Sequence, residues 1–268
     1  MKNRILVFLL ITIMSISMLV GCGQSGNTDK QGEANDENSA VDRPESYDVL
    51  EGITFSVIGD SYLAGKGLAD PSSVWPALLA TKYNMVFENY GMNGSTISNY
   101  AGANYNPMVE RYDQIEENNP DIIIVEGGRN DYNRDVPMGE DGSLDTNTMK
   151  GAVRYLITKL QEKFPDTLII GVTCWEVGGL PNEQGYTCSE YGDAFIEVCE
   201  ALNVPCINAM DSDTMGVYMT DASFRRQYCV SYDDISHLNE EGMKLVLPAF
   251  ETQIAEFYEQ FLNQNESE

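Results

Sequence analysis

Three short apolar runs, at residues 53–58, 121–125 and 168–173, constrain this chain more than any other feature. They are dense in Ile, Val and Leu, and the first two end in glycine turns. A strand buried on both faces reads this way. Stretches of helical character lie between them. Residues 74–83 and 108–118 predict helices. Met149, Ala152, Val153, Leu156, Ile157 and Leu160 recur at three and four, and so do Tyr191, Ala194, Phe195, Val198, Cys199 and Leu202. Apolar runs at 85–89 and 204–208 predict two shorter strands. A last helix carries Met243, Val246, Leu247, Phe250, Ile254, Phe257, Tyr258 and Phe261, with Pro248 inside it, where a kink is expected. Residues 132–147 read as a polar loop. Strands alternating with helices imply a parallel sheet covered on both faces.

In such sheets ligands sit beyond the carboxyl ends of the strands. That rule brings Ser61, Gly94, Asn130 and Trp175 to one rim, because each follows a predicted strand. Ser61 comes straight after the first strand and the turn residues Gly59 and Asp60. His237 is the only histidine, and Asp234 stands three residues before it. Acyl transfer needs a nucleophile, a base, a group that orients the base, and donors for an oxyanion. Ser61, His237 and Asp234 fill the first three roles. The backbone N–H groups of Ser61 and Gly94 and the side-chain amide of Asn130 fill the fourth. Glu126, Arg129, Trp175 and Glu176 are candidates for lining the site and stay outside the catalytic set.

Two other motifs fail on inspection. Residues 59–67 suggest a phosphate-binding loop, but the glycine spacing is one residue too long and Gly67 stands where Ser or Thr would hold magnesium. Residues 211–222 suggest a calcium loop, but Met215 and Ala222 occupy positions that need oxygen ligands. No cofactor or metal site is expected, since no Cys-x-x-Cys pair exists and one histidine is a poor basis for zinc.

Taken together, these blocks resemble the SGNH (GDSL-type) hydrolase family. Gly59-Asp60-Ser61 matches the serine block and Gly94, within Asn93-Gly94-Ser95-Thr96, the glycine block. Gly128-Arg129-Asn130-Asp131 matches the Gly-x-Asn-Asp block. Asp234-Ile235-Ser236-His237, followed by Gly242, matches the Asp-x-x-His block. The four come in family order. Tyr62 departs from the pattern, because the family often has leucine after its serine. The resemblance implies a three-layer α/β/α sandwich on a flavodoxin-like five-stranded parallel sheet. It also implies ester hydrolysis without metal or cofactor.

The amino terminus reads as an address. Lys2 and Arg4 precede an apolar stretch at residues 5–20, which ends in Leu19-Val20-Gly21-Cys22. This pattern describes a signal peptide over residues 1–21, and the last four residues resemble a bacterial lipobox, with Cys22 as the lipidated residue. Residues 22–48 are polar and acidic, a tether rather than a packed segment. The hydrolase domain is expected over residues 49–268. The expectation is an exported protein held by an N-terminal lipid to the outer face of the bacterial cytoplasmic membrane. Five cysteines remain, Cys174, Cys188, Cys199, Cys206 and Cys229; the number is odd, so at least one is unpaired, and one or two disulfides are possible. A formal charge of −26 argues against nucleic acid as a partner.

The expected activity is that of a serine esterase acting on a small-molecule or glycan ester, with an acetyl or other short acyl group on carbohydrate foremost. Two alternatives stay open. One is a surface O-acyltransferase with the same triad, and the other is a non-catalytic lipoprotein that binds glycan or solute.

Overall fold

The computed structural model describes residues 45–116 and 119–265. The expected signal peptide, the lipidated Cys22 and nearly all of the expected tether lie outside them. Glu45–Leu50 forms a 3₁₀ turn that buries Leu50.

Five strands make one parallel sheet in the order β2-β1-β3-β4-β5. They are β1 (Thr54–Gly59), β2 (Val86–Gly91), β3 (Ile122–Gly127), β4 (Leu168–Thr173) and β5 (Cys206–Ile207). The helices are α1 (Trp75–Lys82), α2 (Arg129–Asn133), α3 (Met149–Lys163), α4 (Cys188–Ala201), α5 (Ser212–Met215), α6 (Ala222–Tyr228) and α7 (Glu240–Asn265). The central strands are buried throughout, so alternate side chains enter opposite cores. Phe55, Val57, Ile122, Ile124 and Ile170 pack under α1 and α7. Ile58, Ile123, Val125 and Ile169 pack under α3 and α4. The result is the α/β sandwich that the resemblance implied.

The chain's local choices agree with this arrangement. Thr148 caps α3 by accepting from Gly151 N, and α4 opens on a reciprocal Thr187–Glu190 capping box. On the α1 and α7 face, Trp75 and Phe250 stack at 3.8 Å between ring centroids. The last helix continues through Pro248.

Several expected elements differ. The helix expected over 108–118 is absent from its described part, 108–116: Met108–Glu110 and Tyr112–Gln114 are separate 3₁₀ turns. The reason is Arg111 between them. It is 3% exposed, and its guanidinium donates to the carbonyls of Gly59, Tyr90 and Asn106 and to Ser95 Oγ. The two short turns bring the Arg111 guanidinium to the ends of β1 and β2. Its burial also pulls the Arg111 pKa down to about 10. The fifth strand shrinks from the expected five residues to two, although Gly171 N still pairs with Pro205 O. The expected polar loop at 132–147 begins inside α2.

The strand order reverses between β1 and β3. The chain passes from β1 outward to β2, then returns to the other side of β1. In open parallel sheets ligands sit at such a switch point, beyond the carboxyl ends of the two strands. The loops after β1, β2 and β3 therefore share one rim.

Candidate active site

The turn after β1 is built on close approach. A Cβ placed on Gly59 would lie 2.7 Å from Glu126 O of β3 and 2.5 Å from Leu63 Cδ1, so only glycine fits there. The next residue, Asp60, faces inward and is fully buried. One carboxylate oxygen accepts from Tyr62 N at 3.0 Å and the other from Asn130 Nδ2 at 2.9 Å. Asp60 thus folds the turn that delivers Ser61 and joins it to the loop after β3. Burial pushes its pKa up to about 6, against the pull of these hydrogen bonds.

His237 arrives from the far end of the chain, on the loop between α6 and α7. That loop is pinned from several sides: Val230 N donates to His237 O, Asn239 N to Tyr228 O, and Asn239 Nδ2 to Gln227 O and Cys229 O. Gly242 allows the loop to sit against α6, since a Cβ there would come within 2.4 Å of Tyr228 O. Asp234 Oδ1 accepts from the backbone N–H groups of Ser236 and His237, both at 2.8 Å. His237 Nδ1 is 2.9 Å from Asp234 Oδ2, and His237 Nε2 is 2.9 Å from Ser61 Oγ. The three expected residues form one continuous hydrogen-bonded line.

The electrostatics suit a base. Burial lowers the His237 pKa more than the Asp234 carboxylate raises it, and Lys66 and Arg129 lower it further. Burial works against the Asp234 carboxylate, but donation from the His237 backbone and ring and from Ser236 N holds its pKa below the usual value. The imidazole is therefore neutral, and the aspartate ionised, through the neutral range.

Of the three expected oxyanion donors, two are open. Among the described residues neither Ser61 N nor Gly94 N meets an acceptor. Gly94 is left-handed, at φ +76°. Asn130 differs: its Nδ2 already donates to Asp60 Oδ2 at 2.9 Å and to Ser95 O at 3.0 Å. An oxyanion there would compete for a proton already shared. The same contacts bind the three loops into one network.

Three further residues support the site: Asp131, which closes the Gly-x-Asn-Asp block, and Arg134 and Arg111, which no sequence motif marks. Asp131, fully buried, accepts from Ile97 N and Ser98 N at 2.9 Å each and holds the glycine loop in place. Arg134 donates to Asn130 Oδ1 at 3.1 Å. Its place four residues after Asn130, one helical turn on, was the available signal. Arg111 is the third. Tyr62, singled out only as a departure from the family pattern, stacks on Trp175 at 5.7 Å and meets the His237 ring edge-on at 5.7 Å. Glu126 is wholly buried; neither carboxylate oxygen has a partner of normal geometry, and burial raises its pKa well above the usual range. It is an uncharged wall of the core. Glu176 accepts from Gly178 N.

All five described cysteines are free thiols. Cys174 and Cys188 stand 3.6 Å apart, sulfur to sulfur, behind Tyr62 and Trp175. The hydrogen bond from Cys174 and the nearby Arg129 pull the Cys188 thiol down to about 7. A surface depression of about 610 Å³ between α3 and α4 is lined by Asp141, Lys150, Arg154 and Glu197 and includes none of the residues above.

The GDSL-like lipase/acylhydrolase family model matches residues 57–245, which span all four sequence blocks. No curated protein matches the chain. Among solved structures, a protein from Lactobacillus plantarum is 29% identical, with a TM-score of 0.64 over 80% of this chain and 98% of its own. A candidate GDSL-like lipase from Bacteroides ovatus is 19% identical, with a TM-score of 0.54 over 77% of this chain and 99% of its own. A two-domain esterase active on acetylated mannans is 12% identical, with a TM-score of 0.50 over 79% of this chain and 51% of its own.

Proposed function

The chain belongs to the GDSL-like lipase/acylhydrolase family, and we propose that it is a serine esterase that removes short acyl groups, acetyl foremost, from carbohydrate. The observation that carries the reading is the line from Ser61 Oγ through His237 to Asp234, with both links at 2.9 Å. Ser61 Oγ attacks the ester carbonyl while its proton passes to His237 Nε2. Asp234 holds the Nδ1–H and stabilises the imidazolium. The oxyanion takes the N–H groups of Ser61 and Gly94, and Asn130 Nδ2 turns part of its donation toward it. His237 returns the proton to the departing alcohol oxygen. Water then attacks the acyl-enzyme with the same base, releasing the acid and restoring Ser61.

The preference for a short acyl group rests on the aromatic floor. Tyr62 and Trp175 are 2% and 0% exposed, so they fill the space beside the triad instead of lining an open channel. The carbohydrate side rests on the likeness of fold to the mannan-active esterase and on the export reading of residues 1–22. In that reading the enzyme works outside the cytoplasmic membrane, tethered through Cys22.

The test is hydrolysis of p-nitrophenyl acetate, butyrate and octanoate by the full chain and by Ser61→Ala. The parent should cleave acetate fastest. The variant should lose roughly 10⁴–10⁶-fold in kcat while keeping its fold. Equal rates in the two proteins would overturn the assignment.

A further inference from the structure

Arg134 is oriented but not neutralised. Its Nη1 donates to Asn130 Oδ1 at 3.1 Å and Asn130 O at 3.3 Å. Its guanidinium lies over the Tyr105 ring, 4.0 Å from the centroid. Nη2 lies on the Gly94 side, 3.7 Å from where a Cβ would stand on that residue. Its Nε is buried without an acceptor. Among the described residues no carboxylate comes within ion-pair distance of Arg134, and the same holds for Arg129 and Lys66, whose charges both act on His237.

This is unexpected in a chain with 42 acidic and 16 basic residues. Elsewhere, Lys82 pairs with Glu251, Lys150 with Asp141 and Glu197, Lys159 with Glu162 and Lys244 with Glu241. The carboxylates around the site are committed to other donors. Asp234 holds His237, Asp60 holds Tyr62 N and Asn130, Asp131 holds the glycine loop, and Glu176 holds Gly178 N. Among the described residues Arg134 and Lys66 therefore have no carboxylate in ion-pair distance, while the charge of Arg129 is turned toward the Cys188 thiol; of the three, Arg134 is the one tied to the oxyanion loop through Asn130. A guanidinium half out of water, with one edge anchored and a ring behind it, is preorganised for a planar oxyanion. Tyr105, 39% exposed, adds an apolar face for a sugar ring.

We propose that the glycan substrate carries a carboxylate, as a uronic-acid residue does, and that Arg134 binds it beside Tyr105 while the neighbouring ester lies on Ser61. The proposal deepens the esterase reading and rests on it for the reaction, but the binding step stands alone. Arg134 acts as a specificity residue and also positions Asn130, so its loss should slow every substrate to some degree. The diagnostic is a ratio.

The experiment compares kcat/KM on O-acetylated polygalacturonate, O-acetylated mannan and an acetylated glycerophosphate ester, for the parent, Arg134→Met and Arg134→Lys. Oligogalacturonate binding to Ser61→Ala, with and without Arg134→Met, is measured by calorimetry alongside. The parent should favour the acidic glycan at least ~10-fold over mannan. Arg134→Met should bring that ratio close to one, mainly through KM, and Arg134→Lys should restore part of it. Arg134-dependent binding by Ser61→Ala would uphold the subsite even if no ester were cleaved, in which case only the esterase reading falls. Equal parent rates on the two glycans, or an equal loss on both in Arg134→Met, would overturn the proposal. So would a preference for the phosphate ester, which would point to a phospholipid headgroup.

Discussion

At the residue scale, the chemistry depends on which groups are charged. His237 is held neutral below its ordinary range by burial, so the acid limb of the pH–rate profile should have its midpoint below the unperturbed ~6.5. Activity disappears as pH falls through that lowered value, because the base is then already protonated. A midpoint above 6.5, read from kcat/KM on p-nitrophenyl acetate, would mean that Asp234 outweighs burial. Asp234→Asn should cost about 10⁴-fold in kcat, through loss of the tautomer that accepts from Ser61. The triad residues were legible because each stands at a strand end or beside the only histidine. Arg111 was not, since a single arginine in a polar stretch carries no periodic signal, and Arg134 offered only its i+4 spacing from Asn130. Only the fold shows that Arg111 bridges carbonyls and that Arg134 flanks the oxyanion donors.

At the element scale, the segments with clear periodicity, α3, α4, β3 and β4, lie close to where the pattern puts them. Elements shaped by partners from elsewhere do not. The stretch around Arg111 gives up helix to place its guanidinium on Gly59 O and Tyr90 O, a tertiary demand that local propensity cannot express. The loop before α7 shows the same dependence. Gly242→Ala would press a methyl group onto Tyr228 O and shift the loop that carries His237. A loss of roughly 1–3 kcal/mol in stability is expected, measured by urea unfolding, together with a fall in kcat. Unchanged stability and rate would mean that the loop tolerates displacement.

At the scale of the whole molecule, the parallel sheet brings the loops after β1, β2 and β3 to one rim, which is why four weak motifs were readable as one site. Among the described residues no helix is long and apolar enough to cross a membrane. In the proposed reading, attachment depends on the lipid at Cys22. Cys22→Ala should move the protein from the membrane fraction to the soluble fraction and abolish incorporation of labelled palmitate. Retention of the label would refute lipidation at that residue.

The separation of the triad along the chain also sets a timetable. Ser61 and His237 are 176 residues apart, yet their side chains touch. The nucleophile is made early and waits for its base, which comes only with the last loop and is fixed only when α7 docks. Contacts of such long range are the slow ones to form. A nascent chain, or one clipped after the Asn130 loop and before residue 237, would carry the serine turn and remain chemically silent. The first hydrolysed ester would then mark the end of folding.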